Sequence, residues 1–530
     1  MHTAPQKTQQ KMEYFHTENS KLKLEVTDDE SSDTDAIKYA QGIMGKSYEP
    51  KNENISWLVQ TIKEVVGTVE EDLNQSQFEF QDTLEAAQLN SEVLKKYEYN
   101  FEKAVAGENN SILTPGTEFR KVENIEKIWK HRENWEKIKS ILINGCTYPL
   151  QNEQDEKTRK KDLEAMVTRG NHKSALTPDH RIVLEKIQKK EVAQGFTFPI
   201  TVECLMKLEG AAVIPMGVHD QWTVNEEGER FMKPRACNDA SFPTPSGYSV
   251  NLDHDSDLLS PCIYGQCLRR CLHSIHKMRL KHPLEAIYLT KYDFDAAYRR
   301  VHVYPAHAVK TIIVTNDMAY LLSRLPFGVQ CGPSEYSFIS EGIFDLANDL
   351  LGDPTWDPNS LYSPLKSELS TKNVPDRTIP FSTAKELCVD IPFRKATCYG
   401  YIDDAILIAL DIGENTTRSQ NSIPLAAHCI FRPLSKNEPI ARNDTVSKRK
   451  LQGEGTPDET KVILGWTIDT RLFRIFLPMD KAYHWISDLK ILLQEKYRIK
   501  SKEIESHIGR LNHVGYIMPH GRFFLNIGDC

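Results

Sequence analysis

The sequence predicts an α+β fold that follows a helical N-terminal extension and a disordered acidic N-terminus. After about residue 195, short apolar runs alternate with Gly, Pro, Asn and Asp turns and with segments of helical periodicity. Before that point, apolar residues recur at three- and four-residue steps, which is the period of a helix. The chain has 530 residues, of which 40% are hydrophobic, enough for about two to four packed units.

Several protein classes are disfavoured by composition. No apolar run approaches the roughly 20 residues that a membrane span needs, and residues 1–20 are too polar for a signal peptide. The eleven cysteines include no CxxC pair, which is typical of free thiols in a reducing compartment. We therefore expect an intracellular protein without a membrane partner. The sequence does not distinguish cytoplasm from nucleus and leaves the oligomeric state open.

The charge is unevenly distributed along the chain. The formal net charge is -8, which by itself disfavours a nucleic-acid partner. Residues 1–100 contain 10 Lys and Arg against 19 Asp and Glu, whereas residues 101–530 contain 56 against 55. The acidity therefore belongs to the N-terminal segment, and the remainder of the chain is compatible with nucleic-acid binding.

The N-terminal part divides into three segments. Residues 1–56 form an acidic tail with too few apolar residues to offset the entropy of ordering, so we expect disorder. Residues 57–117 are weakly helical and predict either a loose helical hairpin or a partner-binding segment. Residues 118–200 form a helical extension, in which Thr177-Pro178 is an N-cap followed by proline at the first helical position.

Two strand-like segments carry aspartates at their ends. Residues 398–410 predict a hairpin with Asp403 and Asp404 at its turn, and residues 286–294 predict a strand that ends at Asp293. An ordinary turn aspartate is the simpler interpretation of each. If the strands are neighbours, Asp293 and Asp403 converge on two Mg²⁺ or Mn²⁺ ions, which prefer oxygen ligands. Two such ions ~4 Å apart can stabilise in-line phosphoryl transfer, of which nucleotide polymerisation is the obvious candidate.

These segments resemble the palm motifs of reverse transcriptases, particularly those of DIRS-like and LTR-type retrotransposons. Asp293 to Tyr298 is similar to the first motif, Asp-x-x-x-Ala-aromatic, and Tyr401 to Asp404 to the third, Tyr-x-Asp-Asp. Between them, Leu325 to Ser334 resembles the Leu-Pro-aromatic-Gly element, and residues 508–525 resemble a segment of retrotransposon polymerases. The resemblance covers about residues 215–525 and implies a right-hand polymerase with fingers, a palm built on an antiparallel sheet, and a partial thumb.

The resemblance implies roles for the acidic residues and their neighbours. Asp293 and Asp403 would ligate both metal ions, Asp404 would be a supporting carboxylate of the same metal site, and the backbone carbonyl of Phe294 would be a further ligand. The family's late palm lysine has no clear equivalent, and Lys448 and Lys450 are its only candidates.

The nucleotide and nucleic-acid contacts are also implied by the resemblance. Arg235, and more weakly Lys233, would hold the triphosphate, although an exposed solubilising charge is the simpler interpretation. Tyr298 is either a steric gate that favours deoxynucleotides or a plain core tyrosine. The loop at Phe327 and Gly328 would pack under the template and the incoming nucleotide.

Further contacts are expected at the primer. Tyr401 would flank the primer terminus or be a half-buried strand aromatic, and Gly465 and Trp466 belong to a hairpin similar to the primer grip. Arg299 and Arg300 would meet template or phosphate, with a solvated face equally expected.

The remaining boundaries follow from these motifs. They are fingers and palm at 201–352, a proline-rich insertion that loops out at 353–393, palm with the catalytic and primer-grip-like hairpins at 394–478, and the start of a thumb at 479–530. No acidic constellation for RNase H, and no integrase or recombinase segment, follows, so we expect a fragment or a protein without those modules.

The sequence therefore favours a retroelement reverse transcriptase that adds dNTPs to a DNA primer on an RNA template. The alternatives are an RNA-directed RNA polymerase and a catalytically inactive, retroelement-derived nucleic-acid-binding protein.

Overall fold

The computed structural model describes most of the chain after residue 54. The described residues are 55–67, 77–152, 154–224, 230–260, 262, 264–353, 356–361, 363–373, 379–384, 393–494 and 501–518. Residues 1–54 of the expected acidic tail therefore lie outside the described residues. None of the helices in these ranges is both long enough and apolar enough to cross a bilayer.

Helices occupy the described chain up to residue 195, as the periodicity predicts. They are α1 (Ile55–Gly67), α2 (Leu84–Lys96), α3 (Phe101–Glu108), α4 (Val122–Trp129), α5 (Trp135–Asn144), α6 (Glu156–Arg169) and α7 (Pro178–Ala193). Thr177 caps α7, with its side chain accepting from the His180 amide. Helix α1, in the segment expected to be a loose helical hairpin or to bind a partner, contributes Leu58, Ile62 and Val65 to the main core, where they are fully buried.

The central sheet contains three antiparallel strands in the order β4, β8, β7. They are β4 (Ile287–Asp293), β7 (Ala396–Tyr401) and β8 (Asp404–Leu410). Because side chains alternate along a strand, the apolar run of β8 covers two faces. Ile406 and Ile408 face one cluster of buried residues, whereas Ala405 and Leu407 face another.

Helices pack on both faces of the central sheet. Helices α11 (Gly332–Gly352) and α12 (Asn415–Ile430) lie on the face of Ala405, and α9 (Cys267–Lys281) lies on the other. Pro333 opens α11, as the sequence predicts. Because two layers of helices enclose it, only the ends of the sheet's strands remain accessible.

A second sheet and a long hairpin lie outside the central sheet. The second sheet takes strands from before and after β4 in sequence, and the hairpin precedes β4. The second sheet has the order β1, β6, β5, built from β1 (Thr197–Thr201), β5 (Ile312–Thr315) and β6 (Met318–Leu322). The hairpin pairs β2 (Met216–Val224) with β3 (Arg230–Asn238) and is called the basic hairpin below. Two short helices, α8 (Val202–Lys207) and α10 (Pro305–Ala308), join these elements.

The C-terminal part adds a small meander and three helices. These are α13 (Lys448–Gly453), β9 (Thr460–Ile463), β10 (Trp466–Asp469), β11 (Arg474–Phe476), α14 (Met479–Gln494) and α15 (Ser501–Ile517). Helices α14 and α15 are joined by an ion pair of 2.6 Å between Arg510 and Asp488. The His513 ring of α15 stacks on Trp466 of β10, which anchors the helix pair to the meander.

The described parts of the proline-rich insertion pack on the core, so the expectation that it loops out is wrong. Trp356, Leu361 and Leu365 are buried. Lys372 makes an ion pair of 2.7 Å with Asp411, just after β8. The apolar residues between its prolines supply the burial that holds this segment in place.

Buried ion pairs connect the helical extension to the chain after β4. Glu118 accepts from Arg324 at 3.1 Å and Arg442 at 2.9 Å, and Arg300 lies 3.5 Å from it. Arg299 pairs with Glu191. Arg299 and Arg300 therefore meet carboxylates of the extension, and neither expectation for them, template contact or a solvated face, is correct.

Candidate active site

The ends of three neighbouring strands bring the predicted aspartates together. In the register of the central sheet, Asp293 of β4 lies opposite Asp404 of β8, and Tyr401 of β7 lies on the other side of Asp404. Ile402 and Asp403 form the two-residue turn between β7 and β8. Asp293, Asp403 and Asp404 are thus adjacent, although 110 residues of sequence separate the first two.

The turn that carries Asp403 is conformationally unusual. Ile402 has a φ of 58°, a value that β-branched residues rarely adopt and that costs on the order of 1–3 kcal/mol. Its side chain packs against the core, which offsets that cost. The turn therefore holds Asp403 in one position beside Asp293, as a preorganised site requires.

Burial disfavours the charged forms of Asp403 and Asp404. The pKa of Asp403 is raised, first by burial and then by the negative charge of Asp293. Burial also raises the pKa of Asp404 to about 6, although the nearby ammonium of Lys291 opposes the shift. A cation placed between Asp293 and Asp403 would relieve their repulsion.

Two lysines lie against the aspartates. The Lys450 Nζ of α13 is 2.7 Å from Asp293 Oδ2. The Lys291 Nζ is 3.2 Å from Asp404 Oδ1 and 3.2 Å from Glu454 Oε2. Of the two lysines expected as late palm candidates, Lys450 therefore reaches the site.

Lys448 pairs instead with Glu368 at 3.6 Å. Sequence reasoning missed Lys291 and Glu454. The two-residue alternation of β4 could have indicated Lys291, because it lies on the same face of the strand as Asp293.

The donor set suits a hard divalent cation. Within the described ranges, no group of three or more His, Cys, Asp or Glu side chains is arranged to hold a metal ion by itself. Mg²⁺ is usually held by one or two carboxylates together with substrate phosphates, not by an all-protein cage. The oxygens of Asp293 and Asp403 fit such a shared site, which substrate would complete.

Tyr298 lies beside this acidic end of the sheet. Its ring is 8% exposed and packs on Phe327, with centroids 4.9 Å apart, and on Tyr336, at 5.3 Å. Burial raises the pKa of Tyr298, and the charge of Asp403 raises it further. The exposed Phe327 ring and Tyr298 thus form one wall next to Asp403.

Asn251 and Asn238 both contact the loop that follows Leu325. Asn251 donates to the Gly328 carbonyl at 2.8 Å and accepts from the Gln330 amide at 2.8 Å. Gly328 has a φ of 95°, and a Cβ there would lie 2.2 Å from the Asn238 carbonyl oxygen. Only glycine fits at this contact between the loop and the end of the basic hairpin.

The predicted phosphate-binding residues lie on the basic hairpin. Lys233 and Arg235 are both exposed and, being two residues apart on β3, share one face. The hairpin ends at Asn238, which contacts the loop of Phe327 and Gly328. This chain of contacts joins the hairpin to the wall formed by Tyr298.

The predicted primer contacts differ in exposure. Tyr401 is 37% exposed, and its ring lies 5.6 Å from that of Tyr264. Trp466 is buried and stacks on His513 at 5.1 Å. Gly465 has a φ of 83° and lies against Lys481 and His513. Tyr401 therefore faces the acidic end of the sheet, whereas Gly465 and Trp466 contact the helix pair.

Comparison with known proteins gives a distant structural likeness. The sequence matches no protein-family model and no curated protein. It is similar to the foamy viral protease-reverse transcriptase in complex with double-stranded DNA, at 12% identity and a TM-score of 0.37, covering 74% of this chain and 52% of that one. The complex of that protein with an RNA/DNA hybrid gives 12% identity and a TM-score of 0.32, covering 77% and 43%.

The native Prototype Foamy Virus protease-reverse transcriptase gives a similar result, with 14% identity and a TM-score of 0.31, covering 69% of this chain and 35% of that one. The chain therefore spans about half of the first of these proteins and less of the others. At this identity and TM-score the likeness assigns no residue a role.

Proposed function

We propose that this chain is an RNA-directed DNA polymerase of the reverse-transcriptase class that adds dNTPs to a primer 3′ end. The observation that carries the proposal is the register of β4 and β8, which puts Asp293 opposite Asp404 and beside Asp403. The order of the sequence motifs supports a retroelement origin. In this proposal the central sheet is the palm, the basic hairpin belongs to the fingers, and α14 and α15 begin the thumb.

The carboxylates define the reaction centre. Asp293 and Asp403, with the backbone carbonyl of Phe294, would hold two Mg²⁺ or Mn²⁺ ions. When bound, such ions stabilise the attacking and leaving oxygens of an in-line phosphoryl transfer. The strained turn at Ile402 keeps Asp403 in place, and the pairing of β4 with β8 keeps Asp293 beside it. Asp404 acts as a support and is held by Lys291.

The surrounding residues would select the substrate. Arg235 and Lys233 are exposed on one face of the basic hairpin and would contact the triphosphate of a dNTP. Tyr298 would exclude a ribose 2′-hydroxyl, since its ring is packed and cannot move aside easily. RNA template and DNA primer would bind mainly through phosphates, so binding would weaken as salt rises.

A second candidate is a nucleic-acid-binding protein without catalytic activity. One observation favours it, because two of the three aspartates are already neutralised by lysines, Asp293 by Lys450 and Asp404 by Lys291. In such a protein the ion pairs would be permanent and would replace metal ions.

Primer extension distinguishes these functions. Wild type, Asp403→Asn and the control Asp317→Asn are compared on RNA and DNA templates, with dNTPs or rNTPs and with Mg²⁺ or Mn²⁺. Asp317 suits the control because it is an exposed turn aspartate between β5 and β6. Metal-dependent dNTP incorporation on RNA, lost in Asp403→Asn alone, supports the proposal. Incorporation of rNTPs would favour an RNA polymerase, and binding without extension would favour the inactive protein.

A further inference from the structure

Lys291, at the candidate reaction centre, makes ion pairs with two carboxylates. Its side chain is 17% exposed and contacts two carboxylates, those of Asp404 and Glu454, each at 3.2 Å. The Lys291 amide also donates to the Glu454 carbonyl at 3.4 Å. Side chain and backbone are thus both attached to the residue that follows α13.

Two further hydrogen bonds hold the backbone of Glu454. Its carbonyl accepts from Lys461 Nζ at 2.7 Å, and its amide donates to the Lys450 carbonyl at 2.6 Å. Lys291 therefore cannot turn towards solvent without losing two ion pairs, of which the pair with Asp404 is the more buried.

The other lysine of the site is held differently. Lys450 has a side chain 45% exposed and one ion pair, with Asp293. An arriving cation can displace such a half-exposed side chain into solvent at small cost, because exposed ion pairs contribute little to stability. The same cation would have to break the ion pair between Lys291 and Asp404, whose side chains are only 17% and 20% exposed, to reach the Asp404 oxygen that Lys291 holds.

We propose that Lys291 is a positioning residue that keeps Asp404 out of the metal-ligand set, so that Asp293 and Asp403 alone supply the carboxylates. This inference rests on the proposed function, since it concerns metal binding at that site. The Lys291 ammonium contributes a fixed positive charge beside the metal site and takes one Asp404 oxygen. Removing it frees a third carboxylate and removes a charge that repels cations.

The test measures binding of Mn²⁺ alone to the full chain, without nucleotide or nucleic acid, from the electron paramagnetic resonance signal of free Mn²⁺. Lys291→Met is expected to bind Mn²⁺ about three- to tenfold more tightly than wild type. Adding Asp404→Asn to that variant is expected to remove the part of the gain that the freed carboxylate supplies. The control Lys127→Met, which removes an exposed charge of α4, is expected to leave Mn²⁺ affinity unchanged.

Equal or weaker Mn²⁺ binding in Lys291→Met would overturn the inference, as would a gain that Asp404→Asn leaves undiminished. Circular dichroism checks folding, and Lys291→Gln, with the same expected direction, replaces Lys291→Met if that variant does not fold. Asp403→Asn separates the two proposals. If it leaves wild-type Mn²⁺ binding intact, the proposed metal site fails; if it abolishes binding while Lys291→Met changes nothing, only the role of Lys291 fails.

Discussion

Asp293 and Asp404 are directly opposite each other where β4 and β8 pair, and each is neutralised by its own lysine. This relationship places an acidic cluster at the one end of the central sheet where side chains from three strands meet. Asp403 completes the cluster from the turn and has no lysine within ion-pair distance among the described contacts. It is therefore the aspartate whose replacement most directly probes the chemistry of the site.

Replacement of Tyr298 tests substrate selection. Tyr298→Ala is expected to increase the use of rNTPs relative to dNTPs by about tenfold or more, because the packed ring no longer occupies the space of a 2′-hydroxyl. Competition between labelled rNTP and dNTP in primer extension measures the ratio. Tyr298→Phe keeps the ring and should keep the preference. An unchanged ratio in Tyr298→Ala would show that Tyr298 is only a core residue.

Replacement of Glu118 tests the ion pairs that join the helical extension to the chain after β4. Removal of its charge takes away the carboxylate partner of the buried Arg324 and one of the two carboxylate partners of each of Arg300 and Arg442. Glu118→Gln is therefore expected to lower the free energy of unfolding by about 3–5 kcal/mol, measured by urea denaturation near neutral pH. The control Glu123→Gln, at an exposed position of α4, should change it little.

The contribution of Glu118 to the free energy of unfolding should decrease in acid. Burial alone would raise the pKa of Glu118, but the charges of Arg442, Arg324, Arg300 and Arg432 outweigh it and hold the pKa well below the ordinary value of 4.5. The stabilisation is thus complete above pH 4.5 and is lost as pH falls through the lowered pKa. Wild type and Glu118→Gln should therefore converge in acid; a constant difference would contradict this assignment.

Replacement of Gly400 and of Gly509 by alanine should have opposite effects on stability. A Cβ at Gly400 would lie 2.1 Å from the Phe344 ring, so Gly400→Ala should destabilise by about 1–3 kcal/mol through overpacking. A Cβ at Gly509, in α15, meets nothing within 4 Å, and Gly509→Ala should stabilise by about 0.5–1 kcal/mol. Thermal unfolding measures both. A Gly400→Ala variant as stable as wild type or more stable would show that β7 and α11 are not packed as described.

Local patterns predicted the elements that carry the site. The expected strands at 286–294 and 398–410 correspond to β4, β7 and β8, because alternating and continuous apolar runs reveal strands. The helix after Pro333 also follows the prediction, and its expected buried stripe is confirmed by burial of Tyr336, Ile339, Ile343, Ala347 and Leu350.

The partners of charged residues could not be predicted in the same way. Arg300 meets Glu118 across 182 residues of sequence, and Lys291 meets Glu454. Local periodicity contains no information about which distant segment supplies a counter-charge, so exposed and buried arginines look alike in sequence. The packing of the proline-rich insertion could not be predicted either, because its apolar residues are few and irregularly spaced.

The rate of addition of a single dNTP to a primer on an RNA template, in Mg²⁺, tests the central claim most directly. We expect Asp403→Asn to lower this rate by about a hundredfold or more while binding of primer and template persists. The exposed control Asp317→Asn should keep the wild-type rate. Addition by Asp403→Asn at the wild-type rate, or no addition by wild type, would contradict the assignment of Asp293 and Asp403 as the reaction centre.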